Sequence, residues 1–273
     1  MNKTMRSKSI TFGLVLGLMI IALTGCFPQP DISVPYFIPK TPPDSVLERG
    51  IDAHPDNAIY LEWEEPATAE EEGILGYYVY RGKLINEEYV FSRIASVQRN
   101  EGLLYDSDSY IDYSVHLDTT YYYYLRSYND FAVSKETSDT AQYKLSHKST
   151  PVSPAGDITS INPTFEFNYP ILTIDRINYL YFRLYYFENS TYEIKLFAKL
   201  HRFDLSQSRF YLYLNNNSYH TTVLMDSLWT DTEERRYLEK GTYRWRVDAV
   251  SGQLGGAPES EGSESAWMYF TVK

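Results

Sequence analysis

The strongest constraint on the fold of this chain is a period of two in several short aromatic stretches. Four consecutive tyrosines lie between Thr120 and Leu125, and residues 59–63 and 76–81 alternate apolar and polar side chains in the same way. Because successive side chains of a strand point to opposite faces, two of these tyrosines face a core and two face solvent. Other β-branched and aromatic residues also form short runs that Gly, Pro, Asn and Asp interrupt. The pattern predicts an all-β chain.

The same alternation predicts which side chains are buried in the first half of the chain. Alternate residues of a strand share a face, so one set points to the core. The predicted inward residues are Ile59, Leu61, Trp63, Tyr77, Val79, Tyr121, Tyr123, Leu125 and Ser127.

These stretches give the first half a family resemblance. Residues 41–149 resemble a fibronectin type III domain through Pro42 and Pro43 before the first strand, Trp63 and Pro66 on strand B, residues 76–81 on strand C, 110–112 on strand E and 121–129 on strand F. The resemblance implies that Tyr121 forms a tyrosine corner, with its hydroxyl bonded to backbone near Leu117. We assign this domain to residues 44–149. The fold hosts many unrelated functions, so it does not identify one.

The outward tyrosines form the one candidate ligand surface. If strands C and F pair as in the family fold, a stripe results from Tyr78, Tyr80, Tyr122, Tyr124 and Tyr128. Such a stripe could stack on sugar rings or contact a partner protein. Cross-strand tyrosine pairing, or packing against the second half of the chain, is the favoured interpretation.

The second half, residues 150–273, repeats part of this pattern with lower fidelity. Residues 242–250 align with residues 120–128 and place Tyr243, Trp245, Val247 and Ala249 inward. Further strands are predicted at residues 163–167 and 267–272. This half resembles immunoglobulin-like or fibronectin-like modules in general. The predicted fold is therefore two tandem immunoglobulin-like, fibronectin type III-like β-sandwiches.

The middle of this second domain is longer than usual. Runs at residues 179–187, 193–200 and 209–214 suggest three extra or lengthened strands between residues 178 and 236. Turn residues separate the runs, which makes a meander plausible. The strand order stays open at this stage.

The amino-terminal sequence predicts that the protein is exported. Residues 1–9 carry three basic residues and no acidic one, and residues 10–23 are apolar apart from Thr11 and two glycines. This apolar run is shorter than the ~20 residues that span a membrane, which favours a signal peptide over residues 1–25. The following Leu23-Thr24-Gly25-Cys26 resembles the lipobox of bacterial lipoproteins. That resemblance implies cleavage after Gly25, diacylglycerol on Cys26 and an amide-linked acyl chain such as palmitate.

Cys26 is the single cysteine of the chain. Its lipidation leaves no thiol for a disulfide, a nucleophile or a cysteine-based metal site. Phe27 follows it, whereas an aspartate there tends to retain lipoproteins at the inner membrane, so we expect outer-membrane delivery, facing the periplasm or the cell surface. Residues 26–43 contain six of the thirteen prolines and predict a semi-rigid tether.

Charge and motif content exclude several functions. Removing residues 1–25 leaves 22 basic and 36 acidic residues, a net charge of −14, which disfavours binding to nucleic acid. The five histidines lack metal-ligand spacing, and no cofactor is predicted. Three carboxylates in residues 106–112 could hold Ca²⁺, but a polar turn is favoured because the glycine and glutamate of an EF-hand loop are missing. Nucleophile and phosphate-loop motifs are absent, so an enzyme is not predicted.

The sequence therefore predicts a non-catalytic, membrane-anchored envelope lipoprotein that serves as a spacer and protein-interaction module. The alternative is a carbohydrate-binding accessory lipoprotein that uses the tyrosine stripe. A glycan-active enzyme is the third hypothesis, because the spacing of paired carboxylates depends on the fold. The predicted partners are the membrane and either an envelope protein or a glycan.

Overall fold

The computed structural model describes residues 31–41, 48–99, 107–170, 177–201, 208–214, 221–226, 229–230, 236–251 and 260–273. Within these residues the regular elements are all β-strands, which confirms the predicted class. No helix in this part of the chain is long and apolar enough to cross a membrane. Cys26 and the predicted signal peptide lie outside the described residues.

The strands of the first half are β1 (Tyr36–Phe37), β2 (Asp52–His54), β3 (Ala58–Glu64), β4 (Gly76–Ile85), β5 (Glu88–Gln98), β6 (Ser107–Asp112), β7 (Thr120–Tyr128) and β8 (Ala141–Leu145). One sheet has β3 at its centre, with β6 on one edge and β1 and β2 on the other. The facing sheet has the order β5-β4-β7-β8. All nine predicted inward side chains are fully buried between these sheets, as the alternation predicted.

The strands of the second half are β9 (Thr150–Ser153), β10 (Gly156–Ile158), β11 (Thr164–Asn168), β12 (Tyr179–Glu188), β13 (Thr191–His201), β14 (Arg209–Tyr213), β15 (Thr221–Asp226), β16 (Trp229–Thr230), β17 (Arg236–Tyr237), β18 (Gly241–Val250), β19 (Glu261–Glu264) and β20 (Met268–Val272). The sheet β9-β11-β14 packs against a sheet that contains β12, β13, β15, β18 and β20. The predicted inward residues of β18 are all fully buried.

A tyrosine corner occurs in each half. The Tyr121 hydroxyl accepts a hydrogen bond from the backbone N–H of His116 (3.0 Å), one residue from the predicted contact near Leu117. In the second half the Tyr243 hydroxyl donates to the carbonyl of Glu239 (2.9 Å). Each bond ties a central strand to the loop before it. Residues 120–128 and 242–250, which align in sequence, therefore share the tyrosine corner.

The meander expected in the second half is only partly present. Strands β12 and β13 form a hairpin, and β15 extends it. Strand β14, however, pairs with β11 in the opposite sheet, which corrects the meander for residues 209–214. Its Phe210 ring stacks on Phe167 at 5.3 Å between centroids, and Leu212 enters the core. Either sheet can bury an alternating strand, so the pattern alone did not decide between them.

The two halves share one sheet. Strand β19 pairs in parallel with β8, so nine strands run in the order β15-β13-β12-β18-β19-β8-β7-β4-β5, with β20 and β10 added beside β18. The N–H of Lys144 donates to the carbonyl of Ser260, and that of Ser146 to Gly262, both at 2.9 Å. Backbone hydrogen bonds therefore join the halves, in addition to the covalent connection at residue 150.

Part of the predicted tether lies on the first half. Strand β1 pairs with β3, and the side chains of Ile32, Phe37 and Ile38 are buried. Ser33 donates from its N–H and its hydroxyl to the Glu72 carboxylate at 2.6 and 2.7 Å. This corrects the tether prediction for residues 31–41, because apolar residues between the prolines add a short edge strand, where proline is tolerated. The other residues of 26–43 lie outside the described residues.

Candidate functional site

The five tyrosines of the predicted stripe lie together on the outer face of β4 and β7. Their side chains are half-buried. The rings of Tyr78 and Tyr128 stack at 4.4 Å between centroids, and those of Tyr80 and Tyr124 at 4.7 Å. Tyr122 meets the edge of Tyr89 at 4.7 Å. The stripe is thus a set of cross-strand ring pairs, which is the interpretation that the sequence favoured.

Further side chains lie against three of the five rings. The Arg93 guanidinium lies 4.4 Å from the Tyr78 ring centroid, and Arg126 lies 6.0 Å from that of Tyr80. Phe91 packs on Tyr124 at 4.7 Å. A sugar ring stacks on an open aromatic face, and these contacts leave less open face on Tyr78, Tyr80 and Tyr124. The geometry therefore offers little support for the stripe as a sugar-binding platform.

Two glycines of β4 make room for this packing. A Cβ atom at Gly82 would lie 2.6 Å from the Phe91 ring, and one at Gly76 would lie 2.2 Å from the Val97 carbonyl oxygen and 2.7 Å from the Tyr128 hydroxyl. Aromatic rings that lie over strand glycines recover the packing that a missing side chain loses. The glycines of β4 are therefore part of the aromatic face.

We expect Gly82→Ala to destabilise the first domain by about 1–2 kcal/mol, because the methyl group displaces the Phe91 ring. Phe91 cannot move freely, since it also packs on Tyr124. Urea unfolding of the wild type and of Gly82→Ala measures the difference in the free energy of unfolding. In a Phe91→Ala background the same glycine substitution should cost much less, and an equal cost in both backgrounds would contradict this explanation.

Sequence reasoning missed the hairpin formed by β4 and β5. Its turn residues Asn86 and Glu87 have φ values of 49° and 69°, which is the left-handed region that two-residue hairpin turns require. Four apolar side chains beside the turn are exposed by half or more, namely Leu84 (51%), Ile85 (50%), Tyr89 (57%) and Val90 (55%). We call these four residues the hairpin tip. Three polar residues, 86–88, between two apolar pairs were the available sequence signal.

Strand β5 is also the last strand at one end of the shared sheet. Within the described residues, β4 is its one paired neighbour, so its other edge is open to a further strand. The hairpin tip and this edge adjoin each other. Together they form an apolar surface with free backbone groups, which suits contact with another protein.

A second site missed from the sequence lies between the two halves. Glu48 of the first half bridges two arginines of the second half, through an Arg183 Nη2–Oε1 distance of 2.8 Å and a contact with Arg246. Arg183 also donates to Asp248 (2.9 Å), and Arg246 binds both Glu264 oxygens at 2.7 and 2.8 Å. Both arginines are buried. The network had no sequence signal, because Glu48, Arg183 and Arg246 are far apart along the chain.

Three carboxylates of this region could suggest a metal centre. Oxygen atoms of Glu48, Asp52 and Glu264 lie within 4.8 Å of one another. Each carboxylate already has a cationic partner, because Asp52 pairs with Lys40 and the other two pair with arginines. These ion pairs account for the positions of the three carboxylates without a metal ion.

The described part of the candidate Ca²⁺ site differs from the turn that was expected. Residues 107–112 form β6, so they are not the polar turn that was favoured, and Asp106 lies outside the described residues. The buried Asp112 carboxylate accepts hydrogen bonds from Arg81 Nη1 (2.8 and 3.0 Å) and from the Tyr123 hydroxyl (3.0 Å). Asp112 therefore serves as the anion of an internal ion pair.

The acidic loop after β3 makes an ion pair and hydrogen bonds with other parts of the first half. Glu65 pairs with Arg99 at 2.6 Å, beside a cavity of about 350 Å³ that Glu64 and Glu70 also line. Burial opposes ionisation of Glu72, but hydrogen bonds from Ser33 and Thr68 outweigh it and lower the pKa of Glu72. Glu72 thus binds the amino-terminal segment.

Comparison with known proteins adds little to this description. No protein-family model and no curated protein matches the chain. Among solved structures, the chain is similar to the crystal structure of chicken CNTN1 FN1-FN3 domains, with 12% identity, coverage of 89% of this chain and 68% of that chain, and a TM-score of 0.33. The fold assignment therefore rests on the strand pairing and burial described above.

Proposed function

We propose that this protein is a non-catalytic, membrane-anchored envelope lipoprotein that serves as a rigid spacer and protein-interaction module. The observation that carries the proposal is the junction between the halves. A continuous sheet and a buried ion network hold the two halves in a fixed relative position, so that together they can act as one rigid spacer. Domains joined only by a flexible linker would move independently.

The anchor in this proposal is the lipid on Cys26. The lipobox Leu23-Thr24-Gly25-Cys26 supports it, and Phe27 supports outer-membrane delivery, on the periplasmic or cell-surface face. Two or more acyl chains hold a protein far more firmly than one, at ~0.8 kcal/mol per buried CH₂ group. Because residues 31–41 pack on the first half, the first domain would stand close to the membrane.

The hairpin tip supports the interaction part of the proposal. Four half-exposed apolar side chains on a rigid turn are costly in water unless a partner covers them. The turn carries Glu87 and Glu88 at its end, and these charges disfavour insertion into lipid. A protein partner is therefore the better fit for this surface.

Site-specific cross-linking in intact cells tests the proposal. We expect a photo-reactive residue at Tyr89 to give a discrete cross-linked product, whereas one at Tyr213, which is 41% exposed in the second half, should give none. The product should disappear in Val90→Ser, because the apolar contact is weakened. Equal labelling at both positions, or no product in the lipidated protein, would remove the support for an interaction module at this surface.

Carbohydrate binding has less support, because four of the five rings stack on one another in pairs and Arg93 lies over one of them. A glycan array with Tyr122→Ala and Tyr124→Ala variants distinguishes the two functions. Binding that either substitution abolishes would favour the carbohydrate function.

A further inference from the structure

The junction between the halves has an unequal number of charges. Four carboxylates and three cations of the described residues meet there, contributed by Lys40, Glu48 and Asp52 of the first half and by β12, β18 and β19 of the second. The groups are Lys40, Glu48, Asp52, Arg183, Arg246, Asp248 and Glu264. Glu48 has 27% of its side chain exposed, and the other six side chains are almost wholly buried. We call these seven residues the junction network.

Other charged groups described near the junction network do not supply the missing positive charge. Lys144 pairs with Glu261 at 2.8 Å, and Arg49 pairs with Glu62 at 3.0 Å, so each of these cations has its own anion. His54 lines the adjoining cavity of about 190 Å³ and lies 3.7 Å from Asp56. The hydroxyls of Tyr185 and Tyr181 add no charge. Among the residues that the structure describes, one negative charge of the junction network therefore lacks a counter-charge.

An uncompensated charge in a buried site is expensive, and binding a proton removes it. We propose that the junction network takes up one proton and acts as a pH-sensitive latch, which holds the two halves together when protonated and loosens as the pH rises. The proposal is independent of the partner assigned to the hairpin tip.

The direction of the pKa values agrees with this geometry. Burial raises the pKa of Glu264 to about 8, against the opposing effect of Arg246, and burial also raises the pKa of Asp248. A glutamate in an unfolded chain has a pKa of about 4.3. The folded junction therefore binds the proton more tightly than the separated or unfolded chain. Its contribution to stability is complete below about pH 4.3 and is lost as the pH rises through about 8.

Amide hydrogen exchange of the full-length lipoprotein in detergent tests the latch. The reporters are the N–H groups of Lys144 and Ser146, which bond across the junction. After correction for the intrinsic pH dependence of exchange, we expect their protection to fall by about tenfold or more between pH 6 and pH 9. Glu264→Gln, which mimics the protonated carboxyl group, should make this protection nearly independent of pH.

The matched control is Glu193→Gln, which neutralises a carboxylate with 51% of its side chain exposed and should retain the wild-type fall. A fall of equal size in Glu264→Gln would overturn the proposal, as would no fall in the wild type. If Glu264→Gln does not fold, the test is an NMR titration of the side-chain carboxyl groups of the wild type. A titration midpoint of Glu264 below pH 5 would overturn the latch. If Ca²⁺ abolishes the pH dependence and a chelator restores it, a metal ion supplies the missing charge and the proton latch is overturned.

Discussion

Arg246→Met should destabilise the protein by about 3–5 kcal/mol, because it removes one partner from a buried ion network. Arg246 contacts three carboxylates, namely Glu48, Asp248 and Glu264. Without its guanidinium, these anions would share Arg183 and Lys40 in a site from which water is largely excluded. Urea unfolding followed by circular dichroism measures the loss, and we expect the second half and the junction to unfold first.

Arg209→Met is the matched control for this experiment. Arg209 also forms an ion pair, with Glu166 at 2.6 Å, but 56% of its side chain is exposed. A surface pair of this kind contributes about 0–1 kcal/mol. If the two variants lost similar amounts of unfolding free energy, the junction network would be well hydrated and the explanation by burial would be wrong. Removing Glu264 together with Arg246, as in Arg246→Met with Glu264→Leu, should recover part of the loss, because fewer unpaired charges remain buried.

Asp112→Ala should destabilise the first half by about 3–5 kcal/mol. The substitution leaves the Arg81 guanidinium partly buried beside no carboxylate and removes the acceptor of the Tyr123 hydroxyl. Burial and the Asp112 charge both raise the pKa of Tyr123, so its phenol stays neutral and needs an acceptor. The measurement is the urea midpoint of the wild type and the variant.

Asp157→Ala controls for the loss of an aspartate. Asp157 lies 3.4 Å from Lys273, and both side chains are more than half exposed, so we expect a change of less than about 1 kcal/mol. Millimolar Ca²⁺ should leave the wild-type midpoint unchanged, because Arg81 already neutralises Asp112. A midpoint that rises with Ca²⁺, and does so only when Asp112 is present, would instead support the calcium interpretation of residues 106–112.

Local sequence patterns predicted the strands because burial of a strand follows a simple rule. Alternating residues share a face, and the thirteen residues predicted to point inward on β3, β4, β7 and β18 are all buried. The outward tyrosines were equally predictable as a surface. Pairing of their rings was the favoured interpretation, but the side chains that pack on those rings could not be predicted, because the contacts of Phe91, Arg93 and the glycines of β4 are set by strand register.

The sequence by itself determined the all-β class and the inward faces of the strands, because these depend on residues that are near one another along the chain. Only the tertiary structure decided that β14 crosses to the other sheet, that residues 31–41 pack on the first half and that β8 pairs with β19. It also decided the junction network, in which Glu48 meets Arg246 across 198 positions of the chain. Such contacts depend on how whole sheets pack, and a period of two is the same for every strand, so it carries no information about partners distant in sequence.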